Sequence, residues 1–502
     1  MRRMIKFIII ALFSFFSTSS SAQELRVFFG SLHSHTSFSD GRGTPHEAYT
    51  HARDAAGLDF MAITEHNHPR AGQIANNPGL YNGNAPTSLR SAAQFFTEQG
   101  RFVAIYGQEF STISSGNHAN VFEVREVIAA SDVANGSWDD LLNTWIPGNL
   151  DEQNLPALIL LNHPATSGSP NNREYGRDDF GSFDDWRTAL DVHAQLINII
   201  NGPSHDNPRP GAPSESEYRR YLNFGFHLGP TADQDNHRRN WGSAADTRTG
   251  VIASELSKTA IMAALRSRHV YASEDRNLSV IARIGGHLIG TRVTGNAVPQ
   301  TDAALPIAVA INDPDEPLVS YEVEVFSDHV GGGEDADIIH TETVSGNGTF
   351  NISGVSYAGG HQYLFLKITQ RHDDVPEGDR VWTAPVWFEG SSSGPPSPGT
   401  GEPNLSLAVD LRRETARVIN DGADSVDLAG WTLTSVRGNQ VFTFPSGTVI
   451  GPGQTMTVVS GPRAANASDN ELDWPGNQHI WRNAGDPGEL RDEAQNVIAT
   501  DP

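Results

Sequence analysis

"DFMAITEHN", residues 59–67, holds the pattern from which the first half of the chain is read: a short apolar run that ends in polar, chemistry-bearing residues. The pattern recurs in "RFVAIYGQEFS" (101–111), "LPALILLNHPA" (155–165), "AQLINIIN" (194–201) and "FGFHLGPTADQDNH" (224–237). Helix-like stretches lie between these runs. Among them are "TPHEAYTHARDAAG" (44–57), with Pro45 at an N1-like position, and "SLRSAAQFFTEQG" (88–100). Near-continuous apolar strands alternating with helices predict an α/β architecture, a parallel sheet covered by helices. A β/α barrel of such strands carries its chemistry at the strand C-termini.

The strand ends collect an unusual set of side chains. "GSLHSHTSFSDG" (30–41) supplies His33, His35 and Asp40, and "TEHN" supplies His66. "GQEFS" and "SGNHANVF" supply Glu109 and His118, "LNHP" supplies His163, and "DQDNH" supplies Asp235 and His237. A His-x-His pair on a strand places both rings on one face, because side chains there repeat every second residue. Alone, such a pair is equally a core or surface feature. Six of the 19 histidines and three carboxylates, each following a strand in order, point instead to a metal centre. The chain has no cysteine, which excludes disulfides, thiolate nucleophiles and Cys-based zinc sites. A metal must then be held by nitrogen and oxygen, a set suited to zinc first, and also to manganese or iron.

Clustered divalent ions suit hydrolysis, since they acidify water and neutralise charge on a phosphoryl or carbonyl oxygen. The sequence has no GxSxG elbow and no GxxxxGK[ST] loop. Arg238 and Arg239, directly after His237, are candidates to grip a phosphate oxygen; they are equally placed to be solvated surface residues.

The ordered set "LHSHTSFSDG", "DFMAITEHN", "GQEFS…GNHAN", "LNHPA" and "DQDNH" resembles the PHP (polymerase and histidinol phosphatase) family over about residues 32–273. The resemblance implies a distorted seven-stranded β/α barrel holding two or three divalent metal ions. It implies that His33, His35 and Asp235 serve one ion, with Glu109 bridging to a second that also takes His118 and His163. Asp40, His66 and His237 would serve the third. Asp40, Glu109, Asp235 and Arg238 would thus stand at the reacting centre. Where the family often has Asp before the histidine of the second motif, this chain has Glu65, which still offers an acceptor to orient an imidazole. The stretch 248–280 resembles the closing helix and strand of exported PHP-like hydrolases, a branch that includes enzymes similar to carbaryl hydrolases.

From 276 to 390 the pattern changes to alternating β-branched strands, such as "VSYEVEVFSD" and "HQYLFLKITQ", which predict a β-sandwich. "GSSSGPPSPGTGEPN" (390–404), with a linker set at 391–403, reads as an exposed connection. Residues 404–502 resemble a lamin-tail domain, an immunoglobulin-like β-sandwich, on "VINDGADSVDLAGWTLTS", "FTFPSGTVIGPGQTMTVVSG" and "IWRNAGDPGELRDEAQNVI". Trp431 and Trp481 are expected in its core, and attachment to a surface or substrate is the role the resemblance suggests.

At the other end, "MRRMIKFIIIALFSFFSTSSSAQ" has the basic flank, short apolar core and small-residue site of a signal peptide over 1–22. The barrel is then expected over 23–275. A soluble secreted or periplasmic protein is expected, because no later run reaches the length of about 18 apolar residues needed to span a bilayer. Without Arg2, Arg3 and Lys6 the 35 basic residues fall to 32, against 60 acidic ones. That surface argues against DNA and for a small-molecule or nucleotide-type phosphate ester, with bound cations supplying the positive charge. Three readings stand: an exported metal-dependent phosphoesterase working through a metal-bridging hydroxide; a carboxylic or carbamic ester hydrolase at the same metals; and a non-enzymatic spacer with a degenerate barrel.

Overall fold

A computed structural model describes residues 24–68, 73–110, 118–129, 137–164, 174–203, 212–330, 336–371, 378–389, 405–411, 413–420, 426–445, 448–450, 455–461, 471–475, 479–482, 485–492 and 496–501. The signal peptide expected over 1–22 and the linker expected at 391–403 lie outside the described residues.

Three strands, β1 (Arg26–Ser31), β2 (Phe60–His66) and β3 (Val103–Phe110), pair in parallel. β4 (Ala119–Phe122) runs antiparallel between β3 and β5 (Leu158–Leu161). β5, β6 (Ala194–Asn201) and β7 (Gly229–Asp233) are parallel again. β8 (Arg248–Ala253) pairs antiparallel with β1, and β9 (Val270–Ser273) antiparallel with β8. The sheet curls until β7 lies against β8 and β9. Side chains close this seam: the Ala232 N–H donates to Thr249 Oγ1 (3.0 Å), and Thr249 Oγ1 lies 3.1 Å from Asp233 Oδ1.

The expected parallel order therefore holds for β1–β3 and β5–β7 and is broken at β4, β8 and β9. The four residues of β4 are too few for hydrophobic patterning to show direction, and a buried strand reads alike in either sense. β3 and β5 are buried along their whole length, and β2 up to His66, as strands covered on both faces must be. One cover is the helix Pro45–Asp54, started by a capping box in which Thr44 and Glu47 exchange side-chain and backbone hydrogen bonds. A second is Leu89–Phe96, capped by Ser88.

The chain continues through β10 (Ser279–Ile284), β11 (His287–Leu288), β12 (Arg292–Thr294), β13 (Ile307–Asn312), β14 (Ser320–His329) and β15 (Asp337–Ser345). It then forms β16 (Gly348–Ile352), β17 (His361–Arg371), β18 (Arg380–Thr383) and β19 (Val386–Glu389). β11, β10, β13 and β16 form a separate four-stranded sheet. The others extend the first sheet, because β18 pairs with β9 through Val381–Ser273, Trp382–Ala272 and Thr383–Tyr271. One hydrophobic core runs across this junction and joins Val251 and Leu265 to Val309, Val323 and Leu366.

The C-terminal residues form two four-stranded sheets and a short two-stranded one around a core of their own. Trp481 and Trp474 are buried in that core and Trp431 packs against it. Among the described residues no helix is long and apolar enough to cross a membrane.

Candidate metal centre

The topology delivers the histidines and carboxylates to one rim. His33 and His35 follow β1, His66 ends β2, and Glu109 sits near the end of β3 in direct register with His66. Because β4 is antiparallel, its N-terminal end faces the same rim, and His118 immediately precedes it. His163 follows β5, while Asp235 and His237 follow β7.

These side chains converge. His33 Nε2 and His35 Nε2 face each other at 3.1 Å, and each lies within 3.4 Å of both Glu109 Oε2 and Asp235 Oδ1. His66 Nδ1 is 2.9 Å from Glu109 Oε2, and His118 Nδ1 is 3.0 Å from Glu109 Oε1. His163 Nε2 is 3.4 Å from that same oxygen. Asp40 Oδ1 lies 3.1 Å from His237 Nε2 and 3.7 Å from His66 Nε2. Three groups have ligand atoms in mutual reach: His33, His35 and Asp235; His35, Asp40, His66 and His237; and His66, Glu109 and His118. His35 and His66 each belong to two groups.

The floor is closed and the mouth open. His33, His35 and Glu109 are at most 1% exposed, whereas His118, His163 and Asp40 are 22%, 27% and 38% exposed. Arg238 is exposed as well, and its backbone N–H donates to Asn236 Oδ1. Arg239 turns away to pair with Glu47 at 3.2 Å.

Electrostatics bind the cluster together. Burial opposes ionisation of Glu109, Asp235 and Asp40, but the surrounding imidazoles outweigh it and hold all three below the usual carboxylate range. Burial alone would lower His35; the hydrogen bonds to Asp235 and Glu109 reverse this and raise it. His237 is lowered by burial and by the charge of His35.

The donor set fits divalent cations. Glu109 Oε2 is buried with no hydrogen-bond donor in good geometry, although imidazole nitrogens from three histidines crowd it. Nitrogen and oxygen donors turned toward one another in this way are what a shared cation accepts and what hydrogen bonds alone do not satisfy.

A shell of residues outside the expected set holds the ligands in place. Glu65, fully buried, accepts from the Thr36 N–H at 3.0 Å and from the hydroxyls of Thr36 and Ser39. Ser39 Oγ lies 3.2 Å from His35 Nδ1, so the glutamate orients that ring through the serine. Asn162 donates to Glu109 Oε1 and Asn120 Oδ1, and Asn120 donates to the Leu32 carbonyl. Asn201 donates to Asp235 Oδ2, and Trp241 Nε1 donates to the His35 carbonyl. Glu65 is the acceptor expected from the sequence to orient an imidazole; for Asn162 and Asn120 the only hint is adjacency, Asn162 preceding His163 and Asn120 standing two after His118. His227, close to the motif in sequence, lies instead between Asp191 (2.8 Å) and Glu389 (2.9 Å), away from the cluster.

Comparison with known families matches residues 395–500 to the Lamin Tail Domain, so the C-terminal sandwich is a lamin-tail domain. The match begins inside the Ser/Gly/Pro stretch. No curated protein matches the chain. Among solved structures, a two-domain protein from Bacteroides vulgatus containing a predicted PHP-like metal-dependent phosphoesterase aligns at 16% identity and a TM-score of 0.38. The alignment covers 71% of this chain and 95% of that one. The periplasmic chaperone SfaE aligns at 12% identity and a TM-score of 0.16, covering 44% of this chain and 98% of that one.

Proposed function

We propose that the chain is an exported, PHP-type metal-dependent phosphoesterase whose site is the rim cluster. The observation that carries the reading is the convergence of nine side chains from six strand ends on one partly open rim. Divalent ions bound there, zinc before manganese or iron, would acidify water toward neutrality and neutralise charge building on a phosphoryl oxygen. His33, His35, Glu109 and Asp235 would hold ions from the floor, with Glu109 shared. His66, His118, His163, Asp40 and His237 would complete the sites toward the mouth. Glu65 fixes the orientation of His35 through Ser39. Arg238, exposed beside the mouth, is the candidate to bind a non-bridging oxygen of the incoming phosphate. The substrate class is a small-molecule or nucleotide-type phosphate ester, and the lamin-tail domain would attach the enzyme to a surface or substrate.

The test is metal content by mass spectrometry on the purified mature protein, with p-nitrophenyl phosphate, bis-p-nitrophenyl phosphate and p-nitrophenyl acetate assayed in parallel. Two or three ions per chain, with phosphate-ester turnover lost in His33→Ala, is the expected result. Turnover of the acetate alone would move the assignment to a carboxylic or carbamic ester hydrolase. A chain that takes up no metal on reconstitution would overturn both enzymatic readings.

A further inference from the structure

His33, on the floor of the rim, has no side chain to orient its ring. Its Nε2 faces the other ligands, while its Nδ1 is buried with no hydrogen-bond partner. A metal-binding histidine is ordinarily oriented through its second nitrogen. The other floor histidine follows that rule: His35 Nδ1 lies 3.2 Å from Ser39 Oγ, and the His35 N–H donates to the Asn236 carbonyl at 2.8 Å. For His33 the orienting role falls to the backbone that carries it.

That backbone is held by one carboxylate. The Leu32 N–H, one residue before His33, donates to Asp233 Oδ1 at 2.5 Å. Asp233 is the last residue of β7, two before Asp235, and is fully buried. Asn198 of β6 donates to its Oδ2 at 3.2 Å, and Thr249 Oγ1 of β8 lies 3.1 Å from its Oδ1. β1 and β7 are not ladder neighbours, so no shared register aligns the ligands that follow them. The Asp233 side chain supplies that alignment from below, and above it His33 Nε2 and Asp235 Oδ1 stand 3.3 Å apart.

Among the described residues no lysine or arginine pairs with Asp233. An acid buried among neutral donors is costly to folding, and costs of that kind collect at functional sites. The ion expected at His33 and Asp235 is the compensating charge. We propose that Asp233 is the positioning residue of the group formed by His33, His35 and Asp235. It sets the distance between His33 and Asp235 by tying the backbone before one to the strand end before the other. The inference rests on reading the rim as a metal centre and adds to it the residue on which the buried side of that centre depends.

The experiment strips the full chain and its variants with chelator and uses zinc as the probe. Chelator competition reads zinc affinity, and urea unfolding of the metal-free proteins reads the fold. Asp233→Ala is expected to weaken zinc binding about 10–100-fold. Thr249→Val is the control: it removes the hydroxyl that receives the Ala232 N–H at the same seam but leaves the Leu32 bond to Asp233. Its urea midpoint should fall while its zinc affinity stays that of the parent. Parent-like affinity in Asp233→Ala, or an equal loss in Thr249→Val, would overturn the assignment, the second by showing that the whole seam acts and not the carboxylate. Should Asp233→Ala not fold, Asp233→Asn carries the test. Its amide sets a donor against either the Leu32 N–H or Asn198 Nδ2, so zinc binding should still weaken, and an unchanged affinity refutes the proposal. A parent chain that takes up no zinc overturns the metal-centre reading itself, and the positioning role with it.

Discussion

Glu65 touches none of the other cluster carboxylates, yet it fixes the loop on which His33, His35 and Asp40 are carried. Its two oxygens take one backbone N–H and two hydroxyls, all buried, from Thr36 and Ser39. Glu65→Ala would leave these three donors without an acceptor, at a cost of about 3 kcal/mol in folding stability. Metal affinity should fall as well, roughly 10–100-fold, because the His35 ring loses the serine that orients it. Glu65→Gln keeps one carbonyl acceptor and is expected to lie between the two. Urea unfolding of the metal-free proteins and chelator-competition titration read the two effects separately. Parent-like metal affinity in Glu65→Ala would show that the ring is oriented by packing alone.

Among elements, the helix Pro45–Asp54 does more than cover the sheet. Its capping box starts four residues after Asp40, and Glu47 of the box also receives Arg239, two residues past His237. The helix start thus ties the loop after β1 to the loop after β7. Thr44→Ala should cost about 1 kcal/mol, and Thr44→Ser much less, since serine retains the acceptor for the Glu47 N–H. Equal midpoints for Thr44→Ala and the parent in urea would contradict the cap's contribution. This helix was legible from sequence because its signals, Thr44, Pro45 and Glu47, are local. So were the ligand candidates, since each follows an apolar run and strand ends share a rim. The orientation of β4 was not legible, because "ANVF" carries no directional signal. Nor were Asn120, Asn162 and Trp241: their hydrogen bonds go to Leu32, Glu109 and His35, partners that only the closed sheet brings near. The pairing of β9 with β18 was hidden for the same reason, with over a hundred residues between the strands.

At the scale of the molecule, the curled sheet and the strands that follow it, β10 to β19, are joined on several sides. Arg380 makes a bidentate pair with Glu274 beside the β9–β18 ladder, and Trp382 Nε1 donates to Glu215. A second tie is ionic. His227, before β7, lies between Asp191 and Glu389, while Arg292 donates to Glu389 from β12. Burial pushes the Glu389 carboxyl up, but the hydrogen bonds from His227 and Arg292 outweigh it and hold it at about 2. Asp191 is lowered in the same way, burial being overcome by His227. A carboxyl depressed on folding stabilises the native state above its unfolded pKa, and that stability is lost as pH falls through the folded value. For Glu389 the window runs from 4.5 down to about 2. Once solvent screening of this partly exposed group is allowed for, the contribution is about 1–2 kcal/mol. Glu389→Gln should therefore be less stable than the parent at pH 7, and the gap should narrow as pH falls through 4 toward 2.5. Denaturant unfolding of both proteins across that range measures it. Stability curves that stay parallel would mean that the sheet ladder and shared core, rather than this charge cluster, hold the two halves together in acid.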